Sequence, residues 1–142
     1  MLLGSFFLLL NFSILAHQKI TVYVEEFRGP DRLLNEEITR LFKAELLQLI
    51  TVEPTDYSTV AVFVLKGAAR EEHRKGPPYT DSTFTIDATL TEQRSGRILF
   101  SGSASARRSL SWRSVINIFR KDAPERAVAD LVKQMKKRVG WR

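Results

Sequence analysis

Hydrophobic positions change their period several times along the chain, and each period predicts an element. In residues 17–27, Ile20, Val22 and Val24 alternate with Thr21, Tyr23 and Glu25, the two-residue repeat of a half-buried strand. Arg28-Gly29-Pro30-Asp31 breaks the repeat with turn residues. Over residues 34–50 the repeat becomes helical, with Leu34, Ile38, Leu41, Phe42, Leu46 and Leu49 on one face. Asp31 or Asn35 offers a side-chain oxygen for the N-cap, and Glu36 and Glu37 suit the positive end of the helix dipole. Thr51-Val52-Glu53-Pro54 leads out of the helix, with room for a short strand.

Residues 59–69 contain the unbroken apolar run Val60-Ala61-Val62-Phe63-Val64-Leu65, which predicts a central strand covered on both faces. Residues 70–81 are polar and contain Gly76, Pro77 and Pro78; they predict a loop or a strand end. Alternation returns over residues 83–91, where Phe84, Ile86, Ala88 and Leu90 point one way. Arg94-Ser95-Gly96 predicts a hairpin turn, and residues 97–110 the returning strand, with Ile98 and Phe100 at its start. After Trp112 no period is evident until Asp122-Ala123-Pro124-Glu125, an arrangement that starts helices. Val128, Leu131, Val132, Met135 and Val139 form its stripe, cations gather toward its end, and Gly140 stops it.

The order is β-α-β-β-β-α. Each helix has a single apolar stripe and must lie on a sheet, so the expected fold is α+β: a two-layer sandwich with two helices on one face of a mainly antiparallel or mixed sheet. Residues 17–142 are expected to form one domain, because this length supports a single core.

Residues 1–16, MLLGSFFLLLNFSILA, contain no charged side chain. The run falls short of the roughly 20 residues that cross a bilayer as a helix. It stops at His17-Gln18-Lys19 after Ile14-Leu15-Ala16, a tolerable cleavage sequence. This is the shape of a secretory signal peptide, although no Lys or Arg precedes the apolar run; an uncleaved anchor or a buried N-terminal helix is the alternative. The expectation is an exported protein of the periplasm, or of the periplasmic face or lumen of the outer membrane.

Composition narrows the chemistry. Cysteine is absent from the 142 residues, which excludes disulfides, thiolate metal sites and a cysteine nucleophile. Two histidines far apart in sequence do not suggest a metal site. Clustered phosphate-loop glycines, nucleophile elbows, HExxH and EF-hand patterns are missing. The acidic pairs Glu25-Glu26 and Glu71-Glu72 would point to opposite faces of an extended strand, so neither is expected to share a site. The reading is a binding protein, with no enzyme activity, cofactor or metal. Its net charge of +6 favours anionic partners; export argues against nucleic acid. Basic residues group at Arg70, Arg74 and Lys75, at Arg107, Arg108 and Arg113, at Arg120 and Lys121, and along the last helix. Tyr79, Trp112 and Phe119 lie near these groups. Most surface charge is only solvated and most aromatics are core.

With its elements in this order, the chain resembles the LptE-like lipopolysaccharide-assembly lipoproteins over roughly residues 20–141. The likeness is carried by NEEITRLFKAELL, VAVFVLKG, HRKG, FTIDATL, RSGRILF and APERAVADLVKQMKKRVGW. It implies an outer-membrane protein that plugs or supports the barrel of an LptD-like translocon and binds lipopolysaccharide through basic residues. The matching positions are Arg74 in His73-Arg74-Lys75-Gly76 and Lys121 in Lys121-Asp122. Arg70, Lys75, Arg107, Arg108 and Arg120 would extend that basic surface. The family's lipid-bearing cysteine is missing, and His17 stands near its place. A periplasmic adaptor similar to transporter-auxiliary or CsgG/TolB-type domains, which also begin strand-helix-strand, is the alternative.

Overall fold

The computed structural model describes residues 18–76, 79–109 and 123–142; for residues 74–76, 79–81 and 109 only the backbone is considered. Residues 1–16, expected to be a signal peptide, and Trp112, Arg113, Phe119, Arg120, Lys121 and the expected Asp122 helix start lie outside the described residues.

Five strands and two α-helices follow in the order β1 (Ile20–Val24), α1 (Arg32–Leu47), β2 (Val52–Thr55), β3 (Phe63–Gly76), β4 (Tyr79–Glu92), β5 (Ile98–Ser109) and α2 (Ala123–Val139), with a 3-10 turn at Ser58–Val60 before β3. The strands make one sheet in the order β2-β1-β3-β4-β5. β1 is parallel to β2 and β3, whereas β3, β4 and β5 are antiparallel neighbours. The α+β sandwich is as expected, and the short strand for which residues 51–54 left room is present as a fifth. That strand is β2, and Pro54 is tolerated within it because β2 is an edge strand.

The helices pack side by side against one face of the sheet. Asp31 caps α1, accepting hydrogen bonds from the backbone N–H of Leu33 and Leu34 at 3.0 and 3.2 Å. Ile38, Phe42 and Leu46 of α1 are fully buried, as are Val128, Leu131 and Met135 of α2. They cover Val22, Leu65, Ile86, Ala88 and Leu90 of the sheet. Phe42 stacks on Phe27 with centroids 4.9 Å apart and planes 9° from parallel.

One expectation is corrected and one is resolved. The run Val60–Leu65 is not buried on both faces: Phe63 and Leu65 point into the core, Val62 is 48% exposed and Val64 is half-buried. β3 is central within the sheet, but the helices cover only one side of it. Of the two readings of residues 70–81, the strand end holds for the described part. β3 continues to Gly76 and pairs with β4 from Tyr79, so this polar stretch is the far end of a long hairpin. Backbone pairing continues through this stretch although its apolar alternation is weak.

After Val24 the chain bends but stays on β3. Glu25 N–H donates to Leu65 C=O, Arg28 N–H to Gly67 C=O, and Ala69 N–H to Arg28 C=O, all within 2.8–3.0 Å. Phe27 turns inward, and its N–H donates to the buried Thr39 hydroxyl at 3.0 Å. A Cβ on Gly67 would come within 1.9 Å of Asp87 O and 2.7 Å of Phe27 Cε1, so only glycine fits between this bend and β4. At the opposite end, Gly140 adopts φ of 80° and ends α2. Trp141 is then buried 6.2 Å from Phe63. Arg142 C=O accepts from Ile50 and Thr51 N–H at 2.6 and 3.0 Å, which clips the chain to the α1–β2 turn.

Candidate anion-binding surface

The sheet face away from the helices is open, and its side chains follow from the strand registers. In β4 and β5 this face is built from short hydroxyl and small residues: Thr85 opposite Ser105, Asp87 opposite Ser103, Thr89 opposite Ser101. The Thr85 and Ser105 hydroxyls are 3.2 Å apart. Cations enter toward the hairpin end. Arg70 of β3 pairs with Thr85, and Arg107 of β5 pairs with Thr83. One row across three strands therefore reads Arg70, Thr85, Ser105, and the next reads Glu72, Thr83, Arg107. Arg70 Nε lies 3.6 Å from Glu72 Oε1 in an exposed pair, a contact worth about 0–1 kcal/mol. Arg107 is held from below, since its carbonyl accepts a 2.8 Å hydrogen bond from the Arg126 guanidinium of α2. Guanidinium forks flanking hydroxyls offer charge-assisted and neutral hydrogen bonds to a phosphorylated or sugar-bearing ligand.

The other anticipated residues divide as follows. Arg74 stands at the hairpin end, opposite Asp81 on β4, and Lys75 opposite Thr80. Arg108 lies on the helix-facing side, its guanidinium 5.2 Å over the Phe84 ring. It belongs to a different face from Arg107. Arg70 and Arg107 are the pair that the described structure brings onto one surface. Arg74 and Lys121 cannot be joined in this way, because Lys121 lies outside the described residues.

The acidic pairs behave differently from each other. Glu71 and Glu72 separate as expected: Glu71 lies 3.7 Å from His73 Nε2, an ion pair when the imidazole is protonated, whereas Glu72 joins Arg70. Glu25 and Glu26 do share a site, contrary to expectation, because β1 has ended at Val24 and the chain is no longer extended there. Both line an open cavity of about 360 Å³ with Arg28, Lys66, Asp87 and Thr89. This mixed-charge cleft was not anticipated. Its only sequence signal was the Arg28-Gly29-Pro30 break that forces the bend. Among the described residues no cluster of metal-ligating side chains occurs, and no helix is long and apolar enough to cross a membrane.

No protein-family model matches the sequence, and no curated protein matches it significantly. Solved structures do share the fold. The hypothetical protein CT253 from Chlamydia trachomatis aligns with a TM-score of 0.60 at 12% identity, over 85% of this chain and 98% of that one. Lipoprotein GNA1162 from Neisseria meningitidis aligns at 0.57 and 16%, over 83% and 99%. The PelC dodecamer from Paraburkholderia phytofirmans aligns at 0.54 and 15%, over 84% and 88%. At such identities the likeness establishes a common fold.

Proposed function

We propose that this chain is a non-enzymatic cell-envelope protein that binds lipopolysaccharide at the outer membrane, in support of an LptD-like barrel. The carrying observation is the open sheet face at the hairpin end, where Arg70 and Arg107 flank a hydroxyl row. Phosphorylated sugars match that chemistry: guanidinium forks for phosphate, hydroxyls for sugar oxygens. The signal-like residues 1–16 and a fold shared with a lipoprotein support the envelope setting.

Direct binding to purified lipopolysaccharide tests this reading. The triple variant Arg70→Glu, Arg74→Glu, Arg107→Glu is expected to bind at least about tenfold more weakly, since each charge-assisted hydrogen bond contributes roughly 1.5–3 kcal/mol. Circular dichroism should stay unchanged, because exposed charges contribute little to stability. Equal binding by the folded variant would remove this surface as the site.

A second reading, an adaptor that assembles with proteins, is favoured by the same open face and by the fold shared with a protein that forms a dodecamer. Small side chains such as Ala68, Ser101 and Ser103 leave the sheet flat enough to receive another subunit. Light scattering of purified protein separates the readings: a defined oligomer mass without lipopolysaccharide affinity selects the adaptor.

A further inference from the structure

The end of the sandwich opposite the hairpin gathers chain segments that are remote in sequence. Ile20 N–H donates to Thr51 C=O at 2.8 Å, which joins the start of β1 to the α1–β2 turn. Arg142 is clipped to that same turn. Gln93 N–H donates to Val62 C=O at 3.0 Å, which brings the β4–β5 turn alongside the start of β3. The last turns of both helices finish here too.

This gathering concentrates positive charge. Lys19 precedes β1, Arg94 and Arg97 occupy the β4–β5 turn, and Lys136, Lys137 and Arg138 form the last turn of α2; all are exposed, as is Arg142. The acidic residues at this end are fewer. Glu92 lies 4.0 Å from Arg97, Glu45 sits near the end of α1, and Glu53 is in β2. Among the cations are large aliphatic side chains facing solvent: Leu47 is 65% exposed, Ile50 78% and Ile98 63%. Ile50 is the residue whose N–H is bonded to Arg142.

Exposed aliphatics among lysines and arginines suit one surface in particular. Cations are drawn to anionic headgroups, while isolated leucine and isoleucine side chains enter the acyl boundary. A nucleic acid would satisfy the charge but not the aliphatics. The polypeptide enters the described fold at this same end, two residues after the uncharged apolar run 1–16. We infer that this end of the sandwich is a docking face for an anionic lipid bilayer. β3 runs 14 residues away from it, so the hairpin end stands about 45 Å above the headgroups.

The absence of cysteine makes the test direct. Single variants Ile50→Cys, Ile98→Cys and Thr85→Cys of the full chain are labelled with an environment-sensitive fluorophore. They are mixed with phosphatidylglycerol/phosphatidylcholine vesicles carrying nitroxide-labelled lipid. Labels at 50 and 98 should be quenched, and the label at 85 should stay in water. Tethering through residues 1–16 alone would leave all three in water and overturn the inference. The added triple change Lys136→Glu, Lys137→Glu, Arg138→Glu should weaken docking about a hundredfold, at roughly fivefold per cation. Unchanged quenching in that variant, or equal quenching on pure phosphatidylcholine, would refute the anionic requirement. Tight capture of poly-glutamate without quenching on vesicles would assign this end to an acidic protein instead. The hairpin variants Arg70→Glu and Arg107→Glu should quench normally, so this outcome is independent of lipopolysaccharide binding.

Discussion

Phe42 joins α1 to the bend that follows β1. It is fully buried and stacks on Phe27, whose backbone N–H is in turn held by Thr39 of the same helix. Phe42→Ala removes the ring, leaves a cavity under the β1–α1 bend, and is expected to cost about 3–5 kcal/mol. About 0.5–1.5 kcal/mol of that is the aromatic pair itself. Phe42→Leu keeps most of the apolar volume and should lose only about 1–1.5 kcal/mol. With a urea slope near 2 kcal/mol per molar, the alanine variant should unfold at a midpoint lower by about 1.5–2.5 M. Its melting temperature should fall by roughly 6–20 °C. Urea titration followed by far-ultraviolet circular dichroism and tryptophan emission measures both quantities, and coincident transitions justify two-state treatment. A loss below about 1 kcal/mol for Phe42→Ala would mean that α1 does not present this face to the sheet.

Two further substitutions probe local causes. Gly67→Ala must push a new Cβ against the Asp87 carbonyl and the Phe27 ring, so urea titration should record a loss of about 1–3 kcal/mol; a neutral result would deny the close approach of β3 and β4. Asp31→Ala should cost about 1 kcal/mol by the same measurement, and Asp31→Asn should recover most of it, because either side chain can accept from the first-turn amides.

Elements covered on one side were the legible ones. Phe84, Ile86, Ala88 and Leu90 alternate because the helices lie over one face of β4 and solvent over the other. The stripes of both helices were readable for the same reason. The run from Val60 to Leu65 was ambiguous because it has no alternation; only the pairing of Phe63 with Val22 and of Leu65 with Val24 decides which residues turn inward. β2 was legible only as room for a short strand, because of its shortness and Pro54. The polar stretch from Arg70 left loop and strand end both open, because it carries too little apolar alternation to decide between them. The candidate surface was legible as residue types but not as a site. Arg70 and Arg107 are far apart in sequence, and the register that puts them beside the Thr85 and Ser105 hydroxyls is a property of the folded sheet.

The clip between Arg142 and the α1–β2 turn also bears on the order in which this protein can take shape. Its two hydrogen-bonded partners, Ile50 and Thr51, lie about ninety positions earlier in the chain. Among the described residues α2 is the helix packed on β5 and on part of β4, while Trp141 seals the start of β3. A polypeptide delivered N-terminus first, from a ribosome or through a translocation pore, has β1, α1 and β2 long before it has their counterweight. Loop-closure entropy makes such long-range contacts slow to form. The inner face of β5 gains its helix cover only when α2 arrives, so cooperative folding waits for the last stretch to emerge. Were the chain exported as an unfolded thread, this delay would be an advantage, because little stable structure would exist to block its passage.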